Sequence, residues 1–117
     1  IKNLTKHEAV KIYHKDYWLK YRCGDLPSNI RHIVFDGAVN MGGSRIVRIL
    51  QTVVNVKGGT LKVDGRIGKN TIRQTRKYKP EADRLRAYRV KYYADLVSRK
   101  PKLEKYYFGW YRRALAV

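Results

Sequence analysis

The chain has 117 residues, 44% of them hydrophobic, which is enough for one domain with a modest core and argues against a disordered tail. No run approaches the roughly 18 consecutive apolar residues that span a bilayer, so the composition predicts a soluble protein without a transmembrane segment. The 27 Lys and Arg residues outnumber the 9 Asp and Glu residues, which gives a net charge of +18. This charge favours a polyanionic partner, either nucleic acid or an anionic polymer of a bacterial envelope such as lipopolysaccharide or teichoic acid; the alternative is a solvated surface that maintains solubility.

Metal and cofactor sites are not indicated by the sequence. The single cysteine, Cys23, permits no internal disulfide and no thiolate cluster. His7, His14 and His32 lack the spacing of zinc ligands, with Cys23 or with each other. We therefore predict neither a metal nor a cofactor.

Capping signals and hydrophobic periodicity predict helices along the chain. Thr5 and Glu8 have the spacing of a capping box, Gly42–Gly43 stops a helix, and Pro80 opens the longest one. A short extended piece is expected at Leu61–Val63. The predicted helices run from Thr5 to about Lys20, from about Ser28 to Met41, from Ser44 to about Val54, from Thr71 to Tyr78, from Pro80 to about Lys100 and from about Leu103 to Ala114. The predicted fold class is all-α, with about five or six helices on one core and residues 1–117 in one domain.

Three aromatic residues on the first predicted helix, Tyr13, Tyr17 and Trp18, are candidates for ligand contact. Aromatic faces stack on sugar rings as well as on nucleic-acid bases, because both present flat apolar surfaces rimmed by polar groups. The alternative is that these rings fill the core.

Asp36 and Asn40 are the strongest polar candidates. They lie four residues apart on one face of the second predicted helix, where a carboxylate and an amide beside apolar positions cost free energy unless both have partners. One interpretation is that they line a groove and hydrogen-bond the hydroxyl or amide groups of a ligand. The other is a structural pair that caps a neighbouring helix or fixes the Gly42–Gly43 turn.

A glycine-punctuated segment from Asp64 to Thr71 is the third candidate. Gly65 and Gly68 permit positive φ, and Asn70 or Thr71 is positioned to cap the short helix that follows. The pattern predicts either a ligand-binding loop or a turn that the aspartate stabilises for structural reasons alone.

The order and spacing of these motifs resemble a family of bacterial and phage muramidases, glycoside hydrolase family 108 with its associated predicted peptidoglycan-binding domain. Nearly the whole chain takes part in the resemblance. The matching segments are Thr5–Trp18, which ends in Tyr-Trp, the Leu-Pro loop Asp25–Pro27, the pairs Phe35–Asp36, Val39–Asn40 and Leu50–Gln51, the segment Asp64–Thr71, the Arg-containing helix Arg86–Tyr93 and the closing Phe108–Arg113.

The resemblance implies a single lysozyme-like helical domain. It also implies that the parent protein is an N-acetylmuramidase, which cleaves the bond between N-acetylmuramic acid and N-acetylglucosamine in peptidoglycan. Residues 1–54 would be the C-terminal part of the muramidase-like region and residues 55–117 the peptidoglycan-binding region. The implied substrate-binding residues are Tyr13, Tyr17, Trp18, Asp36 and Asn40, and the implied peptidoglycan-binding motif consists of Asp64, Gly65, Gly68 and Thr71.

The catalytic acid of that family is a Glu in a Glu-Gly-Gly motif. Neither Glu8, Glu81 nor Glu104 is followed by Gly-Gly, so we expect the acid upstream of Ile1. The expected location is the bacterial cell envelope, reached by secretion or by phage delivery. Two other functions stay open at this level: a non-catalytic peptidoglycan-binding module, and a basic helical domain that binds nucleic acid.

Overall fold

The protein folds as six α-helices joined by turns and short loops, as seen in a computed structural model that describes residues 5–117. The described residues contain no β-strand, which confirms the prediction of an all-α fold with five or six helices. The helices are α1 Lys6–Tyr13, α2 Arg31–Asn40, α3 Gly43–Val56, α4 Lys69–Tyr78, α5 Ala82–Arg99 and α6 Glu104–Ala116.

The N-terminal helix begins as predicted and then changes form. The hydroxyl of Thr5 accepts a hydrogen bond from the backbone N–H of Glu8 at 3.1 Å, so Thr5 is the N-cap of α1. After Tyr13 the helix widens into a π-helical segment, His14–Leu19. Such segments are rare, and they frequently occur at functional sites. Helical periodicity alone does not reveal this change.

The core lies between α2, α3 and α5, because each of these helices turns an apolar stripe inward. Complete burial of one Val, Leu or Ile side chain in this core stabilises the fold by about 1.5–3 kcal/mol. The fully buried apolar residues, each 0% exposed, include Ile30 and Val34 from the α2 region, Ile46, Val47, Leu50, Val53 and Val54 from α3, and Leu85 from α5.

Glycines let α2 and α3 approach each other closely. A Cβ atom on Gly37 of α2 would lie 2.5 Å from Cγ1 of Ile46 on α3, and one on Gly43 would overlap the ring of Tyr21. Between the two helices, Gly42 adopts φ +103°, which favours glycine. The close contact between α2 and α3 therefore depends on the missing side chain of Gly37, while that of Gly43 leaves room for Tyr21.

Leu61–Val63 lies in neither a helix nor a strand, and the backbone N–H and C=O of Leu61 bond to the side-chain amide of Asn55 at 2.7 and 2.8 Å. One local prediction is wrong. Neither Asn70 nor Thr71 caps α4, since the N-cap is Gly68 and it provides no side-chain bond. Among residues 5–117, no helix combines the length and the apolar composition that a bilayer crossing requires.

Candidate functional site

Side chains from α1, α2 and α6 surround a cavity of about 320 Å³ that we call the Asp36 cavity. Asp36 and Asn40 reach it from one face of α2 because they are separated by about one helical turn. Tyr13 comes from the end of α1. The complete lining is Tyr13, Phe35, Asp36, Val39, Asn40 and Arg113. Three of the five predicted substrate-binding residues are thus brought together.

Asp36 is the electrostatic centre of this cavity, although only 6% of the residue is exposed. Its Oδ1 accepts hydrogen bonds from Nε of Arg113 at 2.9 Å, from Nη2 of the same guanidinium, and from Nδ2 of Asn40 at 3.1 Å. Asn40 also donates to the backbone carbonyl of Asp36 at 3.0 Å. The carboxylate raises the pKa of Arg113 above its usual value, mainly through the hydrogen bond. Asp36 therefore fixes the positions of two side chains at the cavity.

A second arginine holds Asp36 from within the core. Nη2 of Arg89, on α5, lies 3.0 Å from Oδ2 of Asp36, and Arg89 is 0% exposed. Within residues 5–117, Nε and Nη1 of Arg89 have no hydrogen-bond partner. Burial raises the pKa of Tyr93, and the neighbouring Arg89 partly offsets that rise. A fully buried guanidinium is tolerated only because a carboxylate compensates its charge.

An apolar cavity of about 340 Å³ adjoins the Asp36 cavity and shares Tyr13 and Phe35 with it. The π-helical segment contributes His14 and Trp18, and the Trp18 ring packs edge-on against Phe35 at 5.5 Å between centroids. Trp18 thus lies beside the Asp36 cavity and not in it. Tyr17 lines neither cavity, because its ring packs against the core and lies 5.8 Å from that of Tyr13.

The segment Asp64–Thr71 is anchored by hydrogen bonds to the buried side chain of Gln51 on α3, which is 1% exposed. The Gln51 amide nitrogen donates to Oδ1 of Asp64 at 3.0 Å and to Oγ1 of Thr71 at 3.1 Å, and its oxygen accepts from the backbone of Gly65 at 3.0 Å. Bonds from the Arg66 backbone and from Gln51 lower the pKa of Asp64. Gly65 has φ +75°, as predicted for the turn, whereas Gly68 has φ −108° and does not need to be glycine.

General acid catalysis at the Asp36 cavity requires a protonated group beside the scissile bond. Among residues 5–117, Asp36 is the only carboxylate that lines this cavity. Its Oδ1 accepts hydrogen bonds from Arg113 and Asn40, and its Oδ2 lies 3.0 Å from Nη2 of Arg89. This carboxylate therefore orients Arg113 and Asn40 at the cavity.

Sequence reasoning missed Arg89, Arg113 and Gln51 as site residues. A signal existed for each: Arg89 interrupts the apolar stripe of α5, Arg113 ends the Gly-Trp-x-x-Arg pattern, and Gln51 belongs to a Leu-Gln pair inside an apolar helix. An isolated polar residue on a buried face indicates a distant partner, but it does not identify that partner.

Comparison with known proteins decides the family. The family model described as Glycosyl hydrolase 108 matches residues 1–42, and the model described as Predicted Peptidoglycan domain matches residues 45–115. SagA of Brucella abortus, a solved structure, is 31% identical and matches with a TM-score of 0.70 over 99% of this chain and 67% of that chain. The chain belongs to the glycosyl hydrolase 108 family. Among curated proteins, none matches it significantly.

Membership of the glycosyl hydrolase 108 family confirms the resemblance carried by the motifs, and with the peptidoglycan domain it indicates a peptidoglycan-related function. The Asp36 cavity combines both matched segments, since Asp36 lies in residues 1–42 while Arg113 lies in residues 45–115. The division of the chain after residue 54 stays a prediction.

Proposed function

We propose that this glycosyl hydrolase 108 chain binds a peptidoglycan strand at the Asp36 cavity and provides the glycan-contacting wall of a lysozyme-like N-acetylmuramidase. The observation that carries the proposal is the convergence of Tyr13, Asn40 and Arg113 around the buried carboxylate of Asp36. An aromatic face beside a few fixed polar groups is the composition of a small-molecule or sugar site.

Each exposed side chain of the cavity has a role that fits an amino-sugar polymer. Tyr13 is 45% exposed and offers a ring on which a pyranose can stack. The Arg113 side chain is 61% exposed, so part of its guanidinium can bind a carboxylate of the peptide stem while Asp36 holds the rest. Asn40 gives its N–H groups to Asp36, and its oxygen can accept from an N-acetyl amide. Asp36 is then a positioning residue.

The remaining predicted site residues have supporting roles in this proposal. Trp18 forms a wall of the adjoining apolar cavity, and Tyr17 packs behind Tyr13. The motif residues Asp64, Gly65, Gly68 and Thr71 shape the loop on Gln51 that leads into α4, and the exposed residues of this loop contact peptidoglycan. We infer that the general acid is the glutamate of a Glu-Gly-Gly segment of the parent protein, and that the protein acts at the bacterial envelope after secretion or phage delivery.

Retention on purified peptidoglycan tests the role of the cavity. Arg113→Ala should weaken binding about tenfold, because a charge-assisted hydrogen bond is lost. The matched control is Arg112→Ala, which removes an exposed arginine of the same helix that does not line the cavity. Cosedimentation with purified sacculi measures both variants, and thermal unfolding verifies that both are folded. Equal losses in the two variants would show that net charge, and not the cavity, controls retention.

Clearing of a cell-wall suspension tests catalysis. The chain and the full product of its coding sequence should both bind sacculi, and the full product should reduce turbidity. Binding by both without any clearing would favour a non-catalytic peptidoglycan-binding module. Failure to bind sacculi, together with a duplex DNA affinity that falls steeply with salt, would favour the nucleic-acid alternative.

A further inference from the structure

A second concave surface, which we call the α3–α5 groove, lies between those two helices and has a volume of about 400 Å³. It shares no lining residue with the Asp36 cavity. One wall comes from successive turns of α3 and the other from α5 and the residue after it. Its polar lining is dominated by four cations, Arg45, Arg48, Arg99 and Lys100, together with two tyrosines, Tyr88 and Tyr92.

Among residues 5–117, none of the groove cations Arg45, Arg48, Arg99 and Lys100 forms an ion pair with an acidic side chain. No Asp or Glu is among the lining residues. Four like charges around one concave surface repel each other and focus a positive field into it. An anion that enters the groove removes this repulsion.

The tyrosines give the groove a rigid aromatic wall. Tyr88 and Tyr92 are half-buried and pack against the core, so their rings are fixed by the fold. The guanidinium of Arg45 lies 5.8 Å from the centroid of the Tyr92 ring, a cation–π distance. It also donates to the backbone carbonyl of Met41 at 2.9 Å, which orients it. The site thus combines oriented cations with flat apolar faces.

We propose that the α3–α5 groove binds a phosphorylated sugar of the bacterial cell envelope. The arginines bind the phosphate, because a guanidinium matches phosphate geometry in a bidentate manner. The ring of Tyr88 stacks on the apolar face of the sugar, while the ring of Tyr92 holds Arg45. The groove volume of about 400 Å³ exceeds what a bare phosphate fills and lies in the range of small-molecule pockets.

The shape of the groove favours this ligand over duplex nucleic acid. Duplex affinity depends on contacts to many phosphates along an extended track. The four groove cations surround one concavity and can reach one or two phosphates. A phosphorylated sugar that belongs to a larger envelope polymer also agrees with the peptidoglycan-related function of the family.

The test measures binding of N-acetylglucosamine 6-phosphate to the chain by calorimetry, with N-acetylglucosamine and inorganic phosphate as partial ligands. The informative variants are Arg48→Gln and Arg99→Gln, whose side chains are exposed. Each should weaken binding of the sugar phosphate about tenfold. The control Arg112→Gln removes the same charge from α6, outside the groove, and should bind like the parent chain.

Two polymer arms identify the source of the phosphate. Lipopolysaccharide is compared with its dephosphorylated form. Teichoic acid, whose backbone phosphates cannot be removed without breaking the polymer, is compared with an uncharged polysaccharide. Higher affinity for either phosphate-bearing polymer supports the proposal. Equal affinity for N-acetylglucosamine and N-acetylglucosamine 6-phosphate would overturn the proposal, because the sugar would then bind by stacking alone. A loss of affinity in Arg112→Gln as large as in the groove variants would also overturn it, because diffuse charge would then explain binding. The proposal is also overturned if the chain binds a DNA duplex more tightly than the sugar phosphate and if Arg48→Gln and Arg99→Gln abolish that binding. Because the groove and the Asp36 cavity use different residues, failure here leaves Arg113-dependent binding to sacculi unaffected.

Discussion

At the scale of single residues, the buried pair of Asp36 and Arg89 decides how the candidate site is built. Arg89 extends from α5 into the core and needs a counter-charge, which Asp36 supplies at 3.0 Å. The other carboxylate oxygen then orients Arg113 and Asn40 at the cavity. The buried ion pair and the orientation of the cavity side chains therefore depend on the same carboxylate.

Asp36→Asn keeps the volume of the side chain and removes its charge. We expect the free energy of unfolding to fall by about 3–5 kcal/mol, because Arg89 is left buried without a counter-charge. Urea denaturation measures the loss. The control Asp95→Asn breaks an exposed pair with Lys91 and should cost less than about 1 kcal/mol.

The double variant Asp36→Asn with Arg89→Met tests whether the two charges act as a pair. It should lose less stability than the sum of the two single variants, because no uncompensated charge stays in the core. Strict additivity of the two losses would contradict the coupling.

At the scale of elements, the crossing of α2 and α3 orients the helix that carries Asp36 and Asn40. Gly37 lies one residue after Asp36, and its missing side chain admits Ile46 of α3. Gly109 of α6 contrasts with it, since a Cβ atom there would have no neighbour within 4 Å. Among the described residues, α6 therefore has no packed neighbour at Gly109.

Substitution of these two glycines by alanine should have opposite effects. Gly37→Ala should destabilise the protein by about 1–3 kcal/mol, because the added methyl group forces α2 and α3 apart. Gly109→Ala should stabilise it by about 0.5–1 kcal/mol, because alanine restricts the unfolded chain and fits the helix. Guanidinium denaturation measures the free energy of unfolding of both variants. A destabilised Gly109→Ala would contradict the prediction, because it would mean that α6 has a close neighbour at that position.

At the scale of the whole molecule, the net charge of +18 makes the few anionic contacts important for stability. Glu81 accepts from Lys57 at 2.9 Å, which links the end of α3 to the start of α5, and Arg84 lies 3.4 Å away. The bond from Lys57 is the main cause that lowers the pKa of Glu81 from 4.5 to about 2. At low pH the carboxylates are protonated, so these ion pairs are lost and the repulsion among the cations increases.

Stability should therefore fall as the pH is lowered from 4.5 to about 2. A carboxylate whose pKa is depressed in the folded state adds stability above its usual pKa, and this stability is lost as the pH falls through the folded-state value. Glu81→Gln should be less stable at neutral pH and show a smaller loss within that window. Thermal unfolding from pH 7 to 2 measures the slope. The control Glu104→Gln removes an exposed glutamate that has no ion pair within residues 5–117. If both variants changed the pH dependence of stability equally, the loss of stability in acid could not be assigned to Glu81.

The sequence by itself determined the all-α class, the approximate helices and the family, because caps, periodicity and motif order are local properties of the chain. It also identified Tyr13, Asp36 and Asn40, which come together in one cavity because two of them share a face of α2.

Only the tertiary structure decided what these residues contact. Arg113 lies 77 residues from Asp36 along the chain, and Gln51 reaches Thr71 across 20 residues. Such partners are set by how helices cross, and helix crossing depends on the packing of the whole core rather than on any local pattern. The α3–α5 groove has the same origin, since its two walls are ordinary amphipathic helices until they pack against each other.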